Sequence, residues 1–162
     1  MDTCKFGVLL ALFTGVRIGE LCALQWGKIS LKEQTIRIDA TLQRLRDTSA
    51  VGSARTRIVI STPKSDTSVR TIPVTDYTAE LCGKMAPHSS AAYVLTGTDS
   101  FMEPRALQYR MEKYTRKCGL EGVHFHTLRH TFATRAVEVG FEIKSLSEVL
   151  GHSPACGQAA SG

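Results

Sequence analysis

Charged and titratable residues stand in four stretches of the sequence where the hydrophobic pattern does not require them. In the first stretch, "TGVRIGEL", Arg17 follows Gly15 at the opening of a predicted helix. Free backbone N–H groups and the positive end of the helix dipole favour an anion at such a position. The alternative is an exposed arginine that pairs with Glu20, three residues later. This stretch alone therefore indicates an anion site only weakly.

The second stretch, "STPKSDTSVRTIP", places Lys64 at the tip of a predicted β-hairpin. Arg70 stands on the strand that follows the tip, and Arg55 and Arg57 stand on the strand that precedes it. A basic hairpin tip can enter a groove of a nucleic acid and contact its phosphates. The alternative is a solvated turn, in which lysine is common. The predicted hairpin as a whole therefore supplies four candidate nucleic-acid contacts.

The third stretch, "HFHTLRHTFAT", crowds imidazoles and a guanidinium onto one predicted helix. His126 and Arg129 are three residues apart and share a face, and His130 nearly shares it. Such a group is costly to bury and unusual for packing alone. A metal-dependent hydrolase that uses His124, His126 and His130 is the alternative. The sequence favours a site without metal, because Thr127 stands where a zinc hydrolase carries glutamate and Arg129 would repel a dication.

The fourth stretch, "LGHS", places His152 after a helix-ending glycine, where the helix dipole favours a surface histidine without any function. Taken together and in this order, the four stretches resemble the motifs of the tyrosine recombinases, also called the phage integrase family. The resemblance extends from about Cys4 to Ser153. It implies a mostly helical catalytic domain with a small sheet.

The resemblance implies an integrase of a phage or mobile element that cuts and rejoins double-stranded DNA site-specifically through a 3′-phosphotyrosyl intermediate. The family needs no metal or other cofactor for this reaction. Arg17 and Arg129 would contact the non-bridging oxygens of the scissile phosphate, since their planar forks suit bidentate binding. Glu20 would organise the site. DNA contacts are further expected from Arg55, Arg57, Arg70 and His130.

Three residues receive proton-transfer or phosphate-binding roles from the same resemblance. Lys64 would be the general acid that protonates the departing 5′ oxygen. His126 would be the general base that handles the proton of the tyrosine, and His152 would hydrogen-bond the phosphate. Thr127 departs mildly from the aspartate that is often found at this place in the family.

The nucleophilic tyrosine of the family is expected about nine residues beyond His152, where this chain has Ser161. A serine hydroxyl is much less acidic than a phenol, whose pKa is about 10. The chain has tyrosines only upstream, at Tyr77, Tyr93, Tyr109 and Tyr114. We therefore expect a truncated catalytic domain over residues 1–153, a non-native or disordered tail over residues 154–162, and no N-terminal DNA-clamping domain.

Two functions stay open for such a chain. One is a DNA strand-transferase domain that works with a tyrosine supplied by a neighbouring protomer. The other is a DNA-binding remnant of an integrase that catalyses nothing. The partner that the resemblance implies is double-stranded DNA, with no membrane. The family acts as a tetramer on DNA, whereas this chain is expected to be a monomer in solution.

The elements that must position these residues are predicted from hydrophobic periodicity and from cap and turn residues. Six helices are expected: "TCKFGVLLALFTG", "GVRIGELCALQW", "TDYTAELCGKMA" with Thr75 as its N-cap, "EPRALQYRMEKYTRKCG", "HTLRHTFATRAVEVG" and "EIKSLSEVLG". Strands are expected at "TIRIDATL", "RTRIVIST" and "SVRTIPV", with the last two joined by the turn-forming "PKSDT". The prediction is an α+β domain, mostly helical, with a small antiparallel sheet of about three strands.

Size and composition agree with a single compact domain. The 162 residues are enough for one core, and the net charge of +5 suggests a polyanionic partner only weakly. The five cysteines are odd in number, scattered and never in a C-x-x-C pair, which favours a reducing, cytoplasmic location. The apolar run "FGVLLALF" is much too short to span a membrane.

Overall fold

The computed structural model describes residues 1–46, 56–62, 69–87 and 89–151. In these residues six α-helices surround short antiparallel strands, which confirms the predicted α+β fold. The helices are α1 (Thr3–Thr14), α2 (Ile18–Ala23), α3 (Asp76–Met85), α4 (Pro104–Lys117), α5 (Phe125–Glu138) and α6 (Ile143–Leu150). The strands are β1 (Ile29–Ser30), β2 (Thr35–Ile38), β3 (Thr41–Arg46), β4 (Thr56–Ser61) and β5 (Arg70–Pro73).

Helix α1 is the centre of the core, and it packs against α2, α3, α4 and α5. It begins where the Asp2 carboxylate accepts hydrogen bonds from the first free backbone N–H groups. Phe6 and Leu10 are fully buried, and the Phe6 ring stacks on Trp26 at 5.6 Å between ring centroids. The helix ends at Gly15, whose φ of 68° lies in the left-handed region. This turn leads the chain directly into α2.

The strands form two sheets rather than the single sheet that was predicted. A three-stranded antiparallel sheet has the order β1-β2-β5, and β3 pairs with β4 in a separate two-stranded sheet. The predicted strand "TIRIDATL" is therefore split into β2 and β3. Its break lies at Asp39, where the carboxylate is held by Lys28 at 2.6 Å and by Arg37 at 3.3 Å.

The predicted pairing of the second and third strands is also corrected. Strand β4 pairs with β3, and β5 pairs with β2 through the buried residues Ile36 and Ile72. Alternation of apolar and polar residues identifies a strand, but it does not identify the neighbour of that strand. The hairpin tip that would have joined β4 and β5 includes residues 63–68, which lie outside the described residues.

Helix α2 is shorter than predicted and stops at Ala23. Leu24 has extended backbone angles, and its carbonyl oxygen accepts a hydrogen bond from the Val94 N–H. The chain then forms a bridge between Gln25 and Tyr93 and a 3₁₀ turn over Trp26–Lys28. The segment "AYVLTG", which contains Tyr93, supplies the partner of this bridge.

Helices α3 to α6 follow their predicted positions closely. Thr75 caps α3, as predicted, by accepting a hydrogen bond from the Thr78 N–H. Helix α6 buries Leu146 and Leu150 and contacts both α5 and β5. It ends at Gly151, which also has left-handed backbone angles. In the part of the chain that the structure describes, no helix is both long and apolar enough to cross a bilayer.

The turn at Gly15 gives a prediction with a matched control. A Cβ atom at Gly15 would lie 2.6 Å from Phe132 Cδ1 and 2.8 Å from Leu150 Cδ2, whereas a Cβ atom at Gly97, which has nearly the same φ, would meet nothing within 4 Å. We expect Gly97→Ala to lower the free energy of unfolding by about 1 kcal/mol through backbone strain alone. We expect Gly15→Ala to lower it by about 2 kcal/mol more, because it also overpacks the core. Urea unfolding measures both values, and equal losses would contradict the packing described here.

Candidate anion-binding site

Four charged side chains from three separate segments meet beside the C-terminal end of α6. Arg17 precedes α2, Glu20 lies within α2, Arg70 opens β5, and Arg129 lies in the middle of α5. Glu20 is a buried carboxylate, with 7% of its side chain exposed. Arg70 forms a bidentate ion pair with it, donating from Nη1 to Oε1 at 2.9 Å and from Nη2 to Oε2 at 2.8 Å.

Arg17 completes the set of donors around the Glu20 carboxylate. Its backbone N–H donates to Oε2 at 2.9 Å, and its Nη1 donates to Oε1 at 3.0 Å. The backbone contact satisfies a free N–H group at the start of α2, and the acidic residue in the first turn suits the positive end of the helix dipole. The surface pair of Arg17 and Glu20 that the sequence left open is thus present, but only the arginine is exposed.

The guanidinium groups also bind three successive carbonyl oxygens at the end of α6. Such oxygens have no partner within the helix, and the negative end of the helix dipole favours cations there. The bonds run from Arg70 Nε to Val149 O at 2.6 Å, from Arg129 Nη2 to Leu150 O at 2.7 Å, and from Arg17 Nη2 to Gly151 O at 3.3 Å.

Arg129 joins this helix end to the turn between α1 and α2. It is 5% exposed, and its Nη1 donates to Gly15 O at 2.7 Å. Because Gly15 lies two positions before Arg17, the two predicted phosphate-binding arginines are fixed relative to each other through the same short segment. The structure therefore brings Arg17 and Arg129 into one site, although they are 112 positions apart in the sequence.

The pKa values in the site reflect this arrangement of charge. Burial acts to raise the pKa of Glu20, but the hydrogen bonds and charges of Arg70 and Arg17 outweigh it and hold the pKa below the ordinary value. Burial, together with the charges of Arg17 and Arg70, lowers the pKa of Arg129 to about 10. Arg129 therefore stays protonated at neutral pH. Three guanidinium groups face one carboxylate, so the site keeps an excess of positive charge.

Helix α5 separates its arginine from its histidines, which corrects the expectation that all three share a face. Arg129 points into the protein, whereas His126 and His130 are exposed and their rings meet edge to face at 4.5 Å. In an α-helix the two histidine positions differ by about 40° around the axis, while Arg129 lies about 60° from His126 and 100° from His130. The imidazoles therefore incur no burial cost.

The predicted DNA contact of Arg70 is also corrected by its place in the structure. Its side chain is 6% exposed, and each of its three nitrogens already donates to the protein. The alternation on β5 indicates this burial. Arg70 stands two positions before Ile72, so both side chains lie on the same side of the strand, and that side is buried. Arg57, by contrast, is exposed on β4, as a DNA contact requires.

The structure does not describe three of the predicted site residues or the predicted tail. Arg55, Lys64 and His152 lie outside the described residues, and so do residues 154–162. Within the described ranges, no group of three or more histidine, cysteine, aspartate or glutamate side chains is arranged to hold a metal ion.

Comparisons with known proteins find similar sequences over nearly the whole chain. The model of the Phage integrase family matches residues 3–155. A tyrosine recombinase XerC-like protein of Caldanaerobacter subterraneus subsp. tengcongensis is 27% identical over 90% of this chain and 41% of its own length. A tyrosine recombinase XerA of Thermococcus kodakarensis is 30% identical over 90% of this chain and 45% of its own length.

Solved structures show the same similarity in three dimensions. The Tn1549 transposon integrase in complex with transposon right end DNA superimposes with a TM-score of 0.68 at 25% identity, covering 93% of this chain and 51% of that one. The XerA recombinase superimposes with a TM-score of 0.66 at 23% identity, covering 94% of this chain and 50% of that one. The chain thus spans about two fifths to half of the length of these proteins.

The lowered pKa of Glu20 predicts how the fold responds to acid. A group whose pKa is lower in the folded state stabilises the protein above its unfolded pKa of about 4.3, and this contribution is lost as the pH falls through the folded pKa. Glu20→Gln should cost about 3 kcal/mol at pH 7, because Arg70 then lacks its counter-charge. The difference from wild type should shrink as the pH falls below about 4, which urea unfolding at several pH values measures.

The matched control for this experiment is Glu138→Gln. Glu138 also pairs with an arginine, Arg135 at 2.9 Å, but both side chains are more than half exposed. Its replacement should cost no more than about 1 kcal/mol at pH 7. A Glu20→Gln loss that is the same at pH 7 and at pH 3 would contradict the buried ion pair.

Proposed function

Because this chain belongs to the phage integrase family, we propose that it is a DNA-binding catalytic domain for site-specific recombination. The proposal rests on one observation above all: Arg17, Arg70 and Arg129 converge around a single carboxylate and leave the site positively charged. Only Arg17 is substantially exposed among them, with 42% of its side chain open to solvent. An anion that approaches from solvent would therefore meet Arg17 first and the buried charges behind it.

The anion that suits this site is a DNA phosphodiester. Attack on phosphorus places additional negative charge on the non-bridging oxygens in the transition state. Guanidinium groups that the protein already holds in place stabilise that charge without reorganisation. Arg17 would do so directly, and the buried charge of Arg129 would add to the local field, which is stronger where water is excluded.

One contact of Arg17 is suited to exchange with such a phosphate. Its bond to Gly151 O is the longest in the site at 3.3 Å, and it lies on the exposed side. Glu20 holds the rest of the residue in position, through the Arg17 backbone N–H at 2.9 Å and through Nη1 at 3.0 Å. We infer that Nη2 turns from the carbonyl oxygen to the phosphate oxygen while Nη1 stays on Glu20.

The two proton transfers are assigned by proposal to Lys64 and His126, and a hydrogen bond to the phosphate is assigned to His152. A lysine ammonium can protonate the departing 5′ oxygen, and an imidazole can accept the proton of the nucleophile. His126 lies one turn before Arg129 on α5 and is exposed, so its imidazole is accessible to DNA bound at that side. Arg57 on β4 and His130 on α5 are proposed as additional DNA contacts.

The reaction further needs a tyrosine nucleophile, and residues 1–162 contain no tyrosine beyond Tyr114. Tyr114 donates a hydrogen bond to Asp2 at 3.0 Å. Partial burial and the neighbouring Asp2 carboxylate raise its pKa to about 12, which is the opposite of activation. We therefore propose that these residues provide phosphate binding and transition-state stabilisation, and that none of the tyrosines among residues 1–162 is the nucleophile.

DNA binding by the chain itself is the first test of this proposal. We expect a generic duplex to bind with an affinity that falls linearly with the logarithm of the salt concentration, as fluorescence anisotropy measures. Arg17→Ala should weaken binding and reduce the salt slope by about one phosphate contact. Arg37→Ala is the control, because it removes one exposed arginine that pairs with Asp39 and lies outside the site. Equal effects of the two replacements would argue against a phosphate site at Arg17.

Complementation separates the catalytic domain from a DNA-binding remnant. A tyrosine-bearing recombinase whose own first arginine has been replaced should form little covalent complex with its DNA site. Addition of this chain should restore a covalent protein–DNA complex on a denaturing gel, and the Arg17→Ala chain should not restore it. DNA binding without restored covalent complex would leave only the binding function.

A further inference from the structure

We propose that Arg70 is a positioning residue for the phosphate site, acting through Glu20 and the end of α6 rather than on DNA. This inference rests on the proposed function, because it concerns how Arg17 and Arg129 are held for a phosphate. Arg70 is buried in the site next to both of these arginines. All three of its nitrogens donate to the protein, so none is left for a DNA phosphate.

The guanidinium of Arg70 joins two parts of the site in a fixed geometry. Nη1 and Nη2 hold both oxygens of Glu20, the carboxylate that in turn holds Arg17. Nε holds Val149 O at 2.6 Å, in the helix end whose next two carbonyl oxygens are bound by Arg129 and Arg17. A change at Arg70 would thus shift both supports of Arg17 at once.

The fit of α6 on Arg70 is close enough that a side chain at Gly151 would displace the guanidinium by a few tenths of an ångström. A Cβ atom there would lie 3.0 Å from Nη1, 3.1 Å from Cδ and 3.2 Å from Cζ of Arg70. Gly151 also has a φ of 65°, which other residues rarely adopt. The backbone of the α6 end therefore lies directly against the guanidinium, and the position of the one determines the position of the other.

Lysine could not reproduce these bonds. It would keep the charge that Glu20 needs, but its ammonium is a single point on a flexible stem and lacks the planar fork. It could not hold both oxygens of Glu20 and Val149 O with the same geometry. Arg70→Lys is therefore the informative variant, because it keeps the positive charge but removes the geometry in which the guanidinium holds Glu20 and Val149 O.

The experiment is a double-mutant cycle on DNA binding, with Arg17→Ala and Arg70→Lys singly and together. If Arg70 acts through Arg17, Arg70→Lys should weaken binding of a generic duplex about tenfold in the wild-type background and less than about twofold when Arg17 is already alanine. Arg37→Lys, an exposed arginine with an aspartate partner, is the control and should leave binding unchanged. Hydrogen exchange of residues 143–151 should become faster in Arg70→Lys, while exchange in α4 should not change.

Other results would contradict the inference. If Arg70→Lys weakens duplex binding equally in both backgrounds, or not at all, Arg70 is not a positioning residue. A direct contact with DNA, or a general loss of stability, would weaken binding by the same factor whether or not Arg17 is present. Failure of the wild-type chain to bind DNA would overturn the proposed function and this inference with it. If Arg70→Lys does not fold, the same cycle is run with Glu20→Gln/Arg70→Met, which removes both buried charges, and additive losses would again overturn the inference.

Discussion

The buried carboxylate of Glu20 is the constraint on which the arrangement of this domain depends. A negative charge that is removed from water needs donors on nearly all of its lone pairs, and Glu20 receives four hydrogen bonds from Arg17 and Arg70. Those two residues come from different parts of the chain, so satisfying one carboxylate joins the start of α2 to the edge of the three-stranded sheet. The placement of the exposed Arg17 follows from this internal requirement.

The end of α6 holds positively charged groups close together. Three guanidinium groups in one site repel one another, which contributes to the lowered pKa of Arg129. The carbonyl oxygens of three successive residues at the helix end provide partial negative charge to each of them. The helix end and the carboxylate together keep an electropositive site stable before any anion is bound, so the site is preorganised.

Much of this fold could be predicted because it is encoded locally. The periodicity and caps of α1, α3, α4, α5 and α6 gave their positions, and the order of motifs gave Arg17 and Arg129. The pairing of β2 with β5 could not be predicted, because the alternation of apolar and polar residues does not identify the neighbouring strand. The break at Asp39 could not be predicted either, because it depends on the ion pairs of Asp39 with Lys28 and Arg37. The role of Arg70 depends on Glu20, fifty positions away in the sequence.

The bonds around the end of α6 also determine the order in which this domain can fold. They join residues that are 21, 79 and 134 positions apart in the sequence. Contacts of such separation form late, because loop closure must precede them, and an eight-residue helix such as α6 is not stable alone. A chain that is only partly folded therefore has the separate arginines but not the site, so the electropositive site exists only in the completely folded domain.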